Sequence, residues 1–346
     1  MINEICSEFK SGKNIKADSI SENGEYPVFG GNGLRGYTAS YNHEGLYVLI
    51  GRQGALCGNV RSVNGKTYIT EHAIAAAGNE KSNTSFLHYL FLKMNLGQYS
   101  DQSAQPGLAV NKLLKLEVSL PPISEQKKIA KLLSLLDERI ATQNKIIDKL
   151  QSLIKGIVDC TILRKEKNAI VGDVCSISEQ IRAEANIDDI ITVRLHGNGV
   201  CKSSAENLQL GATQYYRRKA GQLIYGKQNF HNGAIGIVPI SLDNGITSKD
   251  IPSFDIDEMK CNSVYLLAQL QSPQYYKPAE ALTTGTGSKR LKEETFLKMP
   301  IVLPNKREQD NIAVLIHCAS MNLDHAKRLL ELLSIQKQFL LRQMFI

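Results

Sequence analysis

The stretch Leu120-Pro-Pro-Ile-Ser-Glu-Gln126 returns as Leu303-Pro-Asn-Lys-Arg-Glu-Gln309, displaced by 183 residues. In each copy a proline, tolerated in the first turn of a helix, and an acid that favours the positive end of the helix dipole precede a long apolar periodicity. After the first copy Ile129, Leu133, Leu136, Ile140, Ile147, Leu150 and Ile154 recur in steps of four and three, interrupted by Gln143. After the second come Ile312, Ile316, Leu323, Leu330 and Leu333, with Lys337 standing where an apolar residue is due. Such spacing is a heptad seam, so the pattern predicts two long helices, the first with Ser124 as its N-cap.

A lone amphipathic helix would leave its seam in water, so the two helices are expected to pair. A rod of about 40 residues is about 60 Å long, whereas the intervening segment, folded, has a radius of gyration of about 14 Å. Parallel pairing would require that segment to bridge the rod, so antiparallel pairing is expected. The chain then divides into a globule at 1–121, a helix at 122–163, a second globule at 164–304 and a second helix at 305–346. Within the globules, Tyr47 to Ile50 and Gly233 to Val238 read as buried strands, and Thr84 to Leu96 and Val264 to Gln271 as helices. The expected fold class is α+β: two mixed α/β domains separated by two long helices that form an antiparallel coiled coil, with a pseudo-twofold internal repeat. Weaker likenesses join the globules themselves, Leu49-Ile-Gly-Arg-Gln53 to Leu223-Ile-Tyr-Gly-Lys-Gln228, each globule closing on a Gly-containing loop.

The 346 residues carry 41 Lys+Arg against 34 Asp+Glu, a net charge of +7, with 42% hydrophobic and 22% charged residues. These are globular proportions, which argue against wholesale disorder or a collagen-like chain. Apolar runs are of strand length, far short of the roughly 20 residues of a membrane helix. The first residues show no secretory leader, so a cytoplasmic location is expected. Seven scattered cysteines have no metal-ligand spacing and are expected to be reduced and mostly buried.

Two globules related by a twofold axis across a spacer share the symmetry of two half-sites on duplex DNA. At this point the residues resemble a known family. Tyr26-Pro-Val-Phe-Gly-Gly-Asn-Gly-Leu-Arg-Gly-Tyr37, Leu49-Ile-Gly-Arg-Gln-Gly-Ala-Leu-Cys-Gly58, the helix start from Leu120 to Ala130, and Gly233-Ala-Ile-Gly-Ile-Val238 look like the DNA-specificity (S) subunit of Type I restriction-modification systems. The resemblance implies a subunit without catalysis of its own, whose two target-recognition domains each read one half of a bipartite, asymmetric site on double-stranded DNA. It implies recruitment of two methyltransferase (modification) subunits and, through them, restriction/translocase subunits, for N6-adenine methylation and cleavage of unmodified DNA. No cofactor is then expected on this chain, with S-adenosylmethionine, ATP and Mg on the partners.

Other readings compete. Gly31-Asn-Gly-Leu-Arg-Gly36 fits a dinucleotide fingerprint and Phe29 to Gly33 a methyl-donor motif, but Tyr37 to Gly45 have turn and strand character where a helix is required. Glu258-Met-Lys260 has a nuclease-like spacing, and no Walker loop occurs. An enzyme using the glycine loop, or an adaptor whose globules bind protein, remain alternatives. For DNA the natural candidates are Arg and Lys toward guanine and phosphate, Asn and Gln toward adenine. In the first globule these are Asn32, Arg35, Arg52, Gln53, Gln102 and Gln105; in the second, Arg217, Arg218, Lys219, Lys227, Gln228, Asn229, His231, Lys289 and Arg290. The net charge is +1 on the first globule and +2 on the second, so modest affinity of the chain alone is expected.

Overall fold

The computed structural model describes residues 1–54, 56–101, 107–203, 213–285 and 289–345, and divides into two compact units. Unit 1 is Met1–Asn144 with Arg328–Ile346, and unit 2 is Lys145–Lys327.

In unit 1 the strands are β1 (Cys6–Ser11), β2 (Tyr26–Gly30), β3 (Gly33–Thr38), β4 (His43–Glu44), β5 (Tyr47–Gly51), β6 (Val60–Val63), β7 (Lys66–Ile69) and β8 (Ala73–Gly78). They form two sheets, ordered β1-β8-β5-β6 and β3-β2-β7-β4. The first is antiparallel throughout. Its inner strands β5 and β8 are almost wholly buried, which is why their sequences read as continuous apolar or small runs. Helix α1 (Ile2–Ile5), helix α2 (Thr84–Met94) and helix α3 (Val110–Leu114) add to the core, α2 through Phe86, Leu87 and Phe91.

Unit 2 contains β9 (Ala169–Ile170), β10 (Cys175–Ile177), β11 (Arg182–Ala183), β12 (Ile191–Val193), β13 (Val200–Lys202), β14 (Tyr215–Arg218), β15 (Leu223–Tyr225), β16 (Ile235–Ile237), β17 (Gly245–Ser248), β18 (Ser253–Ile256) and β19 (Pro300–Ile301). Its main sheet is ordered β10-β18-β15-β16, again antiparallel. Strand for strand this repeats β1-β8-β5-β6, so the internal repeat extends from the helices into the sheets. A three-stranded sheet β11-β14-β17 and two ribbons complete the unit's strands among the described residues.

Unit 2 also holds the short helices α5 (Ser263–Leu270), α6 (Pro273–Tyr276) and α7 (Glu293–Leu297), and the two long helices are α4 (Ile123–Val158), continued by a π turn at Asp159–Leu163, and α8 (Lys306–Met344). In unit 1 the opening turns of α4 pack against the closing turns of α8: Ile129 and Leu133 share a core with Leu340, Leu341 and Phe345. In unit 2 the closing residues of α4 meet the opening ones of α8, with Val158 and Ile162 beside Ile312, Ala313 and Ile316. Each unit therefore shows antiparallel packing, as the short reach of the intervening segment predicts. Leu133, Leu136, Ile312, Ile316 and Leu333 are buried, and Ile129, Ile140, Ile147, Leu150, Ile154, Leu323 and Leu330 half-buried.

Two details differ from expectation. Ser124 lies inside the first turn of α4, where the carbonyl of Pro122 accepts from Glu125 and Gln126 N–H, so it is no N-cap. Of the seven cysteines, all unpaired, only Cys175 and Cys261 are buried, while Cys160 and Cys318 are exposed on helical turns.

The repeated glutamine has a structural role that its neighbour the acid does not share. Gln126 is fully buried; its Oε1 accepts from Asn83 N–H (2.9 Å), and its Nε2 donates to the Lys81 and Pro121 carbonyls (both 2.9 Å). Gln309, also fully buried, accepts from Asn262 N–H (2.9 Å) and donates to the Lys260 (3.1 Å) and Pro304 (2.8 Å) carbonyls. Asn83 and Asn262 in turn cap α2 and the helix α5 (Ser263–Leu270). Each long helix is thus bolted by one amide to the loop that starts a helix of its own globule, the amide pairing backbone groups that the turn leaves free. Among the described residues, no helix is long and apolar enough to cross a membrane.

Candidate nucleic-acid interface

Where the chain leaves β5, Arg52 N–H donates to the carbonyl of His72 in the turn before β8, and the Arg52 carbonyl accepts from Leu108 N–H, both at 2.9 Å. Where it leaves β15, Lys227 N–H donates to the carbonyl of Asp250 in the turn before β18, and the Lys227 carbonyl accepts from Leu291 N–H, again both at 2.9 Å. The cause is the shared strand order. A chain leaving a mid-sheet strand crosses the turn of the neighbouring strand and must pair its backbone there. Arg52-Gln53 and Lys227-Gln228 therefore occupy equivalent places in the two repeats, which accounts for the faint sequence likeness between these segments.

In unit 1, Arg52 is half-buried and Gln53 exposed. Gln53 Oε1 lies 2.9 Å from His72 Nδ1, and His72 Nε2 lies 3.3 Å from Glu71. The tip of the β2–β3 hairpin packs on the same turn: a Cβ at Gly31 would sit 2.6 Å from the His72 carbonyl oxygen, so only glycine permits the approach. The hairpin presents Asn32 and Arg35, both exposed. Gly33 has φ +111° and carries the Arg61 guanidinium against it, a Cβ there falling 2.8 Å from Nη1. The glycine stretch is strand–turn–strand, with β3 where a cofactor-binding helix would start, so it lacks the helix N-terminus that holds pyrophosphate. Gln102 and Gln105 lie outside the described residues.

In unit 2, Lys227 is largely covered, its side chain 12% exposed and its Nζ 2.7 Å from Glu293. Gln228 and Asn229 are exposed beside it, and the His231 ring stands 3.2 Å from Asn232 Nδ2. Arg290 reaches the same place through a 3.3 Å contact with Asp250, whereas Lys289 pairs with Glu280 at 3.3 Å. Arg217 and Lys219, exposed, belong to the β14 region and line no part of the cleft around Lys227.

Arg218 corrects the expectation drawn from the Arg-Arg-Lys run. It is fully buried, and donates to Thr247 Oγ1 (2.7 Å), Ser253 Oγ (3.0 Å), Gln180 Oε1 (3.4 Å) and the Ile251 carbonyl (3.0 Å). Strand alternation sends it inward between outward neighbours. Burial pulls its pKa down to about 10, so it stays charged at neutral pH, solvated by protein groups alone. It ties two sheets together and offers no donor to DNA. Missed by sequence reasoning were Arg61, His72, Lys249 and Lys292, which reach these sites from loops far along the chain; no local pattern marks them. Among the described residues, no group of three or more His, Cys, Asp or Glu is placed to hold a metal.

Comparison with known proteins agrees with this architecture. Residues 1–152 match the family described as Type I restriction modification DNA specificity domain. The specificity subunit of the Escherichia coli type I restriction enzyme EcoprrI is 45% identical over 134 residues, 38% of this chain and 33% of that protein. The specificity subunit of the Methanocaldococcus jannaschii type I restriction enzyme MjaVIII is 22% identical over 260 residues, 65% of this chain and 61% of that protein. The chain thus spans about a third of the first relative and less than two thirds of the second. A solved structure of the S subunit of a type I restriction-modification system from M. genitalium shares the fold, with TM-score 0.72 at 15% identity, covering 100% of this chain and 95% of that one. These likenesses agree with the resemblance read from the motifs: residues 1–152 match the type I restriction-modification DNA specificity family, and the chain shares the fold of the M. genitalium S subunit.

Proposed function

We propose that this chain is the DNA-target-recognition subunit of a type I restriction-modification complex, without catalysis of its own and working inside the cell. Each recognition domain reads one half of a bipartite, asymmetric site on duplex DNA. The observation that carries this reading is the duplicated exit site: a cation followed by glutamine, Arg52-Gln53 and Lys227-Gln228, fixed by the same two backbone hydrogen bonds in both repeats. Arginine and glutamine are the side chains whose paired donors and acceptors match guanine and adenine edges in the major groove. Two unlike copies of one reader suit two unlike half-sites.

The same chain recruits two methyltransferase subunits, and through them restriction/translocase subunits, which bring S-adenosylmethionine, ATP and Mg for N6-adenine methylation and for cleavage. Beside the buried seam of unit 1, Leu132, Leu135, Leu329, Leu332, Ile335 and Phe339 are exposed on α4 and α8. An apolar stripe of that extent suits a protein partner.

Methylome sequencing of the host with and without this gene tests the reading. The expected result is loss of one bipartite methylation motif, and Arg52→Ala should relax that motif in one half only. An unchanged methylome in the deleted strain, with partner genes expressed, refutes the function.

A further inference from the structure

Four segments of unit 2 line an open cleft of about 940 Å³: Lys227, the turn holding Lys249 and Asp250, Thr284 with Gly285, and the stretch from Arg290 to Glu293. Four cations there meet two carboxylates. Both carboxylates are engaged, Glu293 by Lys227 at 2.7 Å and Asp250 by Arg290 at 3.3 Å. Lys249 and Lys292 are exposed and, among the described residues, have no carboxylate within 4.0 Å. Lys249 and Lys292 line the same cleft with, among the described residues, no carboxylate engaging them, so their ammonium groups are available to an anionic ligand there.

The type of cation points to the type of anion. Lysine offers a compact charge with freely rotating donors, suited to phosphate oxygens; the planar fork of arginine and the amides of Asn and Gln suit base edges. The equivalent place in unit 1 holds the second kind, with Arg52, Gln53 and His72 on the exit turn and Arg61 by the hairpin. We propose that Lys249 and Lys292, in the cleft headed by Lys227, form a phosphodiester-binding site that holds the DNA backbone against the second recognition domain. The second domain then adds a grip on the backbone to its reading of bases. This rests on the DNA-reading function proposed above.

The test is the salt dependence of binding of the full chain to a random-sequence duplex, followed by fluorescence anisotropy between about 50 and 200 mM salt. Each phosphate contact contributes about 0.9 to the slope of log affinity against log salt, so Lys249→Gln with Lys292→Gln should reduce the slope by about 1.8. A control with the same charge change at the exposed Lys93 and Lys115 of unit 1 should leave the slope close to that of the natural chain. Both pairs of positions are exposed, so thermal unfolding should be unchanged. In the assembled complex the methylated motif should also be unaltered, since phosphates carry no sequence. An unchanged slope in the Lys249/Lys292 variant, an equal fall in the control, or an altered motif overturns the phosphate site while leaving the DNA-reading function intact. Absence of salt-sensitive binding by the natural chain overturns both.

Discussion

The two units treat one position along the helix seam in opposite ways. In unit 1, Tyr89 of α2 donates its hydroxyl to Asp137 of α4 at 2.9 Å, and Lys337 of α8 meets the same carboxylate at 2.5 Å. The Lys337 ammonium also stands 6.0 Å from the Tyr89 ring centroid. Through the repeat, the equivalents in unit 2 are Ala268, Ser320 and Ile154, which line an open groove of about 560 Å³. The apolar residue missing from the seam at Lys337 is thus a specific polar junction between globule and both helices. The glutamine bolts are kept in both repeats while the filling beside them diverges. A backbone clamp must fit an invariant geometry, whereas the filling answers only to its own neighbours.

The shared part predicts the largest effect. Gln126→Ala or Gln309→Ala removes three part-buried hydrogen bonds to one backbone N–H and two carbonyls, each worth about 1 kcal/mol, so either should cost about 3 kcal/mol of local stability. Native-state hydrogen exchange at Asn83 and Asn262 measures it. Equal loss of protection in the two variants is expected; a loss in one alone would show that the clamp is not common to both repeats.

The divergent part predicts a pH effect confined to unit 1. Burial pushes the His88 pKa down from 6.5 to about 4, Lys337 adding to the shift and Asp137 opposing it, and its buried Nδ1 has no partner among the described residues. The unfolded chain therefore takes up this proton as pH falls through the ordinary range, and the folded chain does so only near the lower value. Stability of unit 1 should be lost across that window, by about 3 kcal/mol in full. Unit 2 has Leu267 in the equivalent place, so its stability should not carry this loss. Urea unfolding of the natural chain and of His88→Leu, compared at pH 7 and near the bottom of the window, isolates the histidine from other acids. An identical pH response in the two would remove His88 from the account.

How much of the molecule is legible in the sequence depends on how far each signal reaches. The seam is local periodicity, so both helices are readable from residues a turn apart, and their antiparallel sense follows from the short reach of the segment between them. The same holds for β5 and β16, whose burial on both faces shows as unbroken apolar runs. The candidate site is readable only where strand exits repeat a short string, at Arg52-Gln53 and Lys227-Gln228. Arg218 misleads because basic runs look alike whether alternation points them out or in; its inward position depends on Thr247, Ser253 and Ile251, some 30 residues away in sequence. Gln126 and Gln309 are visible as repeated letters, but their role needs a loop about 45 residues upstream, which no local pattern announces.

The smallest effect distinguishes a junction from an ornament. Lys337 and Asp137 retain 23% and 34% side-chain exposure, so water screens their attraction and Lys337→Met should cost only about 1 kcal/mol. The methionine restores the apolar seam and offsets part of the lost pair, while Asp137 keeps the Tyr89 hydroxyl. The reciprocal graft, Ile154→Lys with Ser320→Asp in unit 2, should return less than it costs. Ala268 offers neither a hydroxyl for the carboxylate nor a ring beneath the ammonium, so the new pair would be held by its own contact alone, within about 0.5 kcal/mol of nothing. Should the graft stabilise unit 2 as much as Lys337→Met weakens unit 1, the tyrosine would be irrelevant and the junction would reduce to a simple ion pair.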